Sequence, residues 1–157
     1  MKTIFAPLNP LTSTVVLIRI SGPEAKACLA AFKIKLKLKP RYLHYVKAYD
    51  QANHLLDEII VSYFKAPNSF TGEEVIELAI HGGRANSQKF LKIIRDMPKY
   101  QYAEAGAFSK QGFSNGKIDL LQAEAINDLV KAETRRQAQM ARLQMAGLPS
   151  HKLARLR

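Results

Sequence analysis

The sequence predicts an α+β fold, a β-sheet flanked by helices over residues 1–118, followed by a basic helical extension over 119–157. Three observations carry that prediction. β-branched runs alternate with segments of helical periodicity along the first part of the chain. From Asp119 onward the pattern is helical throughout. And 47% of the 157 residues are apolar, enough to build a packed core.

The chain opens with an apolar stretch leading into "PLNPLTST", after which "TVVLIRIS" (14–21) reads as a strand. Ser21 and Glu24 form an S-x-x-E capping box in "SGPEAKACLAAF", which predicts the start of a helix. "KIKLKLK" (33–39) alternates lysine with aliphatic residues at period two, as in a strand with one cationic and one apolar face, and Pro40 breaks it. Two more strands are predicted at "YLHYVKAY" (42–49) and "DEIIVSYF" (57–64), joined as a hairpin through "DQANHLL". "APNS" is a turn, "EEVIELAIH" the next strand, and Gly82-Gly83 its stop. "RANSQKFLKIIRDM" sets Phe90, Leu91, Ile93 and Ile94 on one face of a helix. A short apolar stretch near 101–107 precedes "FSKQGFSNGK", read as a helical turn and loop with Asn115-Gly116 as a turn. Finally, "DLLQAEAINDLVKAETRRQAQMARLQM" reads as one long helix, capped by Asp119 with Gln122 at the third position. Its stripe of Ile118, Leu121, Ala125, Leu129 and Ala132 has no partner helix in the pattern, which predicts cover by the first domain or by another chain. Arg135, Arg136 and Arg142 make its last third basic, and Gly147 and Pro149 mark its stop.

The net charge of +11, from 24 basic and 13 acidic residues, attracts polyanions, of which RNA is the commonest in a cytoplasm; plain solubility is the other reading. The single cysteine, Cys28, lies in an Ala/Leu-rich segment and reads as an inert buried thiol. The first residues do not have the form of a signal peptide, and no apolar run approaches a membrane span, so a cytoplasmic protein with no membrane partner is expected.

Several chemistries find no support. No glycine is followed at the required spacing by Gly-Lys-Ser/Thr, so the chain carries no P-loop and no GTP hydrolysis of its own. His44, His54, His81 and His151 are scattered, and one cysteine cannot build a zinc site. No catalytic nucleophile is inferable. The positive signals are charges set in strands. Arg19 shares a strand face with Val15 and Leu17, and Glu77 shares one with Val75 and Ala79, so each calls for an opposite charge. Either they pair with each other, or both grip a ligand. His81 before two glycines points to a close backbone approach or to a tight turn. Lys117 is a donor beside the Asn115-Gly116 turn, and the lysine run at 33–39 is either a solvated face or a phosphate track.

Four blocks, "LIRISG", "APNSFTGEEVIEL", "HGG" and "NGKIDLLQAEAINDLVKAET", stand in the order and spacing of the N-terminal part of the MnmE (TrmE) family of tRNA modification GTPases, and the resemblance covers residues 1 to about 145. It implies a T-protein-like folate-binding domain with a mixed sheet over 1–118, and a truncated start of the family's helical domain over 119–157. It further implies a homodimer that binds 5-formyl- or 5,10-methylene-tetrahydrofolate at its interface. Modification of C5 of the wobble uridine of certain tRNAs would proceed with the flavoprotein partner MnmG (GidA). By the same resemblance Arg19, Glu77 and Lys117 are the folate-binding residues; from the residues themselves, no catalytic residue and no metal ligand is expected. A carboxylate suits the N–C–NH₂ edge of a pterin, which it can accept from with both oxygens, and cations suit the glutamyl tail or the ring carbonyls. The chain departs from the family in three places: "PLNPLTST" replaces a glycine-rich stretch, "AGAF" replaces a glutamate-containing block with Ala107, and "IHGG" stands for GHGG. These departures define the alternative, a domain that keeps the fold but not the folate and serves as a structural or RNA-binding protein.

Overall fold

The computed structural model of the chain describes residues 2–146. Six strands, β1 (Thr3–Pro7), β2 (Val15–Ser21), β3 (Leu43–Tyr49), β4 (Leu55–Phe64), β5 (Val75–His81) and β6 (Tyr100–Tyr102), form one sheet in the order β3-β4-β5-β2-β1-β6. All neighbours are antiparallel except β1 and β6, which run parallel, so the sheet is mixed and the fold is α+β as expected.

Alternation along the strands decides what the sheet buries. Val16, Ile18 and Ile20 of β2, Ile59 and Val61 of β4, and Ile76, Leu78 and Ile80 of β5 all point to one side and are essentially inaccessible. The helices α1 (Cys28–Ala31) and α2 (Arg84–Arg95) cover that side. Phe32, just after α1, stacks on Phe90 of α2 at 4.9 Å between ring centroids. Each such side chain contributes about 1.5–3 kcal/mol on burial, so this layer dominates stability. Cys28 is part of it, and burial pushes its thiol far above the ordinary range, which suits an inert role.

Three expectations fail here. The Ser21–Glu24 capping box is not made. Ser21 is the last residue of β2, its Oγ spent on Thr71 and Gln111, while the Glu24 N–H donates to Thr3 Oγ1. The segment gives only a 3₁₀ turn at Ala25–Ala27 and the four-residue α1, which Lys33 closes in the left-handed region (φ 56°) as Ile34 N–H reaches back to the Leu29 carbonyl. Residues 34–39 are no strand either: the period-two pattern correctly separates buried Ile34 and half-buried Leu36 and Leu38 from exposed Lys35, Lys37 and Lys39, but the segment crosses the rim of the core as a strap outside the ladder.

The third correction concerns the long helix. The chain instead forms α3 (Ala107–Ser114), then α4 (Leu120–Lys131) and α5 (Arg135–Met145), the last two packed on each other as a hairpin. The predicted cap is present, since Asp119 Oδ1 accepts from Gln122 N–H while the Gln122 side chain accepts from Asp119 N–H. Thr134 and Gln137 make a second capping box that starts α5 and so ends the single-helix reading. The partner helix thought to be missing is therefore α5, and Ala125 and Ala141 are buried between the two. Leu121 is 57% exposed and does not belong to the buried stripe. The predicted stop at Gly147 and Pro149 lies outside the described residues. No helix of the described residues is long and apolar enough to cross a membrane.

Candidate ligand site on the open face of the sheet

The other side of the same strands is largely uncovered. Antiparallel register sets Arg19 of β2 directly opposite Glu77 of β5, and Glu77 opposite Ser62 of β4. The next row on this face is Leu17, Ala79, Ile60 and Tyr45. Tyr45 and Leu43 are each 67% exposed and Val15 52%, so an apolar sheet surface faces outward beside the charged row.

Arg19 and Glu77 pair with each other. Arg19 Nε and Nη2 both lie 2.8 Å from Glu77 Oε1. The two side chains are 22% and 15% exposed, so the pair is screened but still reachable. The Arg19 guanidinium lies 5.5 Å from the Phe70 ring centroid and 5.4 Å from that of Phe108. Glu77 Oε2 has no hydrogen-bond partner among the described residues, and both Arg19 contacts go to Oε1. The result is a cradle of one free carboxylate oxygen, a guanidinium held by it, and two aromatic rings.

The rings come from loops, and a buried polar knot holds those loops. Ser21 Oγ lies 2.7 Å from Thr71 Oγ1 and donates to Gln111 Oε1 at 2.7 Å. Asn115 Nδ2 donates to the Thr71 carbonyl and to Glu73 Oε1, both at 2.8 Å. The end of β2, the loop carrying Phe70 and α3 carrying Phe108 are thus tied at one point. Gly72 has φ +79°, and a Cβ on it would stand 2.8 Å from Asn115 Cβ and 3.1 Å from Lys117 Cγ, so only glycine lets the 115–117 turn close on this loop.

Lys117 is exposed and lies over Gly72, one loop away from the Arg19–Glu77 pair, with neither of which it forms a hydrogen bond or ion pair. The structure therefore joins two of the three predicted site residues directly and sets the third along the rim. Phe70, Phe108, Thr71, Gln111 and Asn115 were not singled out from sequence. Their only sequence signal is proximity to predicted site residues in loops, because the contacts they make span 42 to 90 residues.

The His81-Gly82-Gly83 question resolves into an internal contact. A Cβ on Gly82 would fall 1.5 Å from the Ser13 carbonyl oxygen. The Gly82 and Gly83 N–H groups donate to the Thr14 and Leu11 carbonyls. What approaches the glycines is the "PLNPLTST" loop, pinned at its other side by Asn9, which donates to the Val15 carbonyl and accepts from Leu17 N–H. His81 itself is exposed, its Nδ1 2.7 Å from Asp57 Oδ1. Burial pushes the Asp57 carboxyl up, but hydrogen bonds from the His81 ring and backbone, Asn86 and the Glu58 N–H outweigh it and hold Asp57 below the ordinary range. Among the described residues no group of three or more His, Cys, Asp or Glu is placed to hold a metal.

Residues 3–117 match the family described as GTP-binding protein TrmE N-terminus. The chain is 47% identical over 147 residues to the tRNA modification GTPase MnmE of Wolbachia pipientis from Culex pipiens, an alignment covering 93% of this chain and 33% of the relative. It is 45% identical to that of Ehrlichia ruminantium strain Gardel (94% of this chain, 33% of the relative) and 41% identical to that of Rickettsia bellii strain OSU 85-389 (94% and 34%). It spans about a third of the length of the relatives it matches.

Proposed function

The chain belongs to the TrmE N-terminal family, and from this we propose that residues 1–118 are the folate-binding and dimerising module of a GTPase that modifies C5 of the tRNA wobble uridine. In this reading residues 119–157 begin the helical domain, and the GTPase chemistry and the flavoprotein MnmG lie outside the chain. The compartment is the cytoplasm, where tRNA is processed.

The observation that carries the reading is the half-open Arg19–Glu77 pair between Phe70 and Phe108. Its donor set fits a reduced folate. Glu77 has an oxygen to spare for the N–C–NH₂ edge of a pterin, and Arg19 holds that carboxylate in place. The two rings offer flat apolar surface for a bicyclic ring, and Lys117 on the rim suits an anionic glutamyl tail. Bound folate supplies the one-carbon unit. The chain's own residues bind it, orient it and limit water around it. The apolar row beside the cradle, with Leu43, Tyr45, Ile60 and Val15 outward, supports a second copy as the cover of this face.

Calorimetric titration with 5-formyltetrahydrofolate tests the site. Saturable binding to the wild-type chain and its loss in Glu77→Ala are expected. Absence of binding to the wild type, or equal binding to the variant, removes the assignment. Sedimentation at micromolar concentration is expected to show a dimer, and a monomer alone contradicts the dimer.

A further inference from the structure

The strap of residues 34–39 has two halves, and packing explains only one. Ile34, Leu36 and Leu38 close the core at the β3 edge. Lys35, Lys37 and Lys39 fill every alternate, outward position. Any polar residue would keep that side wet, yet all three are lysine, and among the described residues none lies within ion-pair distance of a carboxylate. Elsewhere five lysines face a carboxylate: Lys26 faces Glu74, Lys47 faces Glu58, Lys89 faces Asp50, Lys92 faces Asp96 and Lys99 faces Glu24. Lys2, Lys65, Lys110 and Lys117 also face no carboxylate among the described residues, but they stand apart from one another, whereas the strap sets three such lysines at alternate positions of one short segment.

Two further features adjoin it. At the strap's end Tyr42 is 52% exposed, with Lys39 Nζ 5.2 Å from its ring centroid and His44 against its edge. Beneath the strap opens a cleft of about 560 Å³ lined by apolar Ile34, Leu36 and Leu38 on one wall and by Lys26, Tyr63 and Lys65 on the other. Behind Lys26, Glu74 Oε2 is buried, with Lys26 Nζ 3.6 Å away as its ion-pair partner.

We propose that this strap is an RNA-binding surface, on which Lys35, Lys37 and Lys39 follow the phosphates of a single strand while Tyr42 stacks a base. Alternate residues of an extended chain stand roughly 6–7 Å apart, a step that lets successive ammonium groups meet successive phosphates. An ammonium is a point charge that tracks the backbone without reading sequence, and an aromatic face accepts any base, so the surface holds RNA without selecting it. The inference extends the tRNA part of the proposed function to a named surface, which shares no residue with the Arg19–Glu77 cradle and is independent of folate.

Fluorescence anisotropy of a labelled, unstructured single-stranded RNA on the full 157-residue chain, repeated over a salt series, tests it. The variants are Lys35→Glu/Lys37→Glu/Lys39→Glu and a control with the same charge change at Lys89, Lys92 and Lys110. Three neutralised phosphates correspond to a log–log salt slope of about 2 for a single strand. The strap variant is expected to bind at least tenfold more weakly and to lose about that much slope, while the control keeps the slope of the wild type. Tyr42→Ala is expected to weaken binding without changing the slope. The proposal is overturned if the wild type binds no RNA at low salt, if the strap variant binds like the wild type, or if the control loses as much as the strap variant. Preference for anionic lipid vesicles over RNA also overturns it. Folate titration of the same strap variant separates the two readings: retained folate binding with lost RNA binding supports the surface and leaves the cradle untouched.

Discussion

The two faces of the sheet are cut from the same strands, and neighbouring residues can differ completely in fate. On β5, Ile76 and Leu78 are fully buried, while Glu77 between them pairs with Arg19 on the open side. One face is closed by helices and the strap, with aromatic stacking and no charge. The other carries a half-exposed ion pair, two loop aromatics and an uncovered apolar row. In the proposed reading the difference separates stability from recognition: residues of the closed face are constrained by volume, whereas those of the open face are constrained by what they leave available.

That separation makes graded predictions. Leu78→Ala leaves a cavity in the closed face and is expected to cost about 2–5 kcal/mol, read from the midpoint of denaturant unfolding. A loss under 1 kcal/mol would mean that this face is not the core. Glu77→Gln acts on the open side. It leaves Arg19 without its counter-charge and is expected to cost about 1–3 kcal/mol, together with loss of folate binding. A variant with unchanged folate affinity would assign the cradle a purely structural role.

The helical hairpin offers a smaller effect. Asp119→Ala and Thr134→Ala each remove one capping box and are expected to cost about 1 kcal/mol of local helix stability. Hydrogen exchange should localise the first loss to α4 and the second to α5; uniform loosening of both by either change would indicate one continuous helix. The smallest effect is a pH dependence. The Asp57 carboxyl is held below its ordinary value, so its contribution is present above the unfolded carboxyl pKa of about 3.9 and fades as pH falls through the lower folded value. Wild-type stability should therefore drop more steeply below about pH 4 than that of Asp57→Asn. Identical acid profiles would dismiss the His81–Asp57 contact as a stabilising one.

Legibility in the sequence followed the range of the forces. β2 to β5, α2 and the Asp119 cap all rest on local patterns, and they stand within a residue or two of their predicted places. Ser21 was misread because its hydroxyl is claimed by Thr71 and Gln111, 50 and 90 residues away, which no window around Ser21 contains. The strap kept its period-two pattern without joining the ladder, since alternation reports only which side is wet. The break before α5 was legible in Thr134-x-x-Gln137, a cap of the same kind as the one read at Asp119, but a continuous helical period masked it. At the site, the opposed charges of Arg19 and Glu77 were visible as residues out of place in strands. Phe70 and Phe108 were not, because only the loop knot brings them over the guanidinium.

The most direct test sets two adjacent residues of β5 against each other. Folate affinity and unfolding midpoint are measured in parallel for Glu77→Gln and Ile76→Val. If the faces divide recognition from stability, Glu77→Gln abolishes folate binding while remaining folded, and Ile76→Val binds as the wild type does while losing about 0.5–1.5 kcal/mol. Loss of folate binding in both, or in neither, contradicts that division.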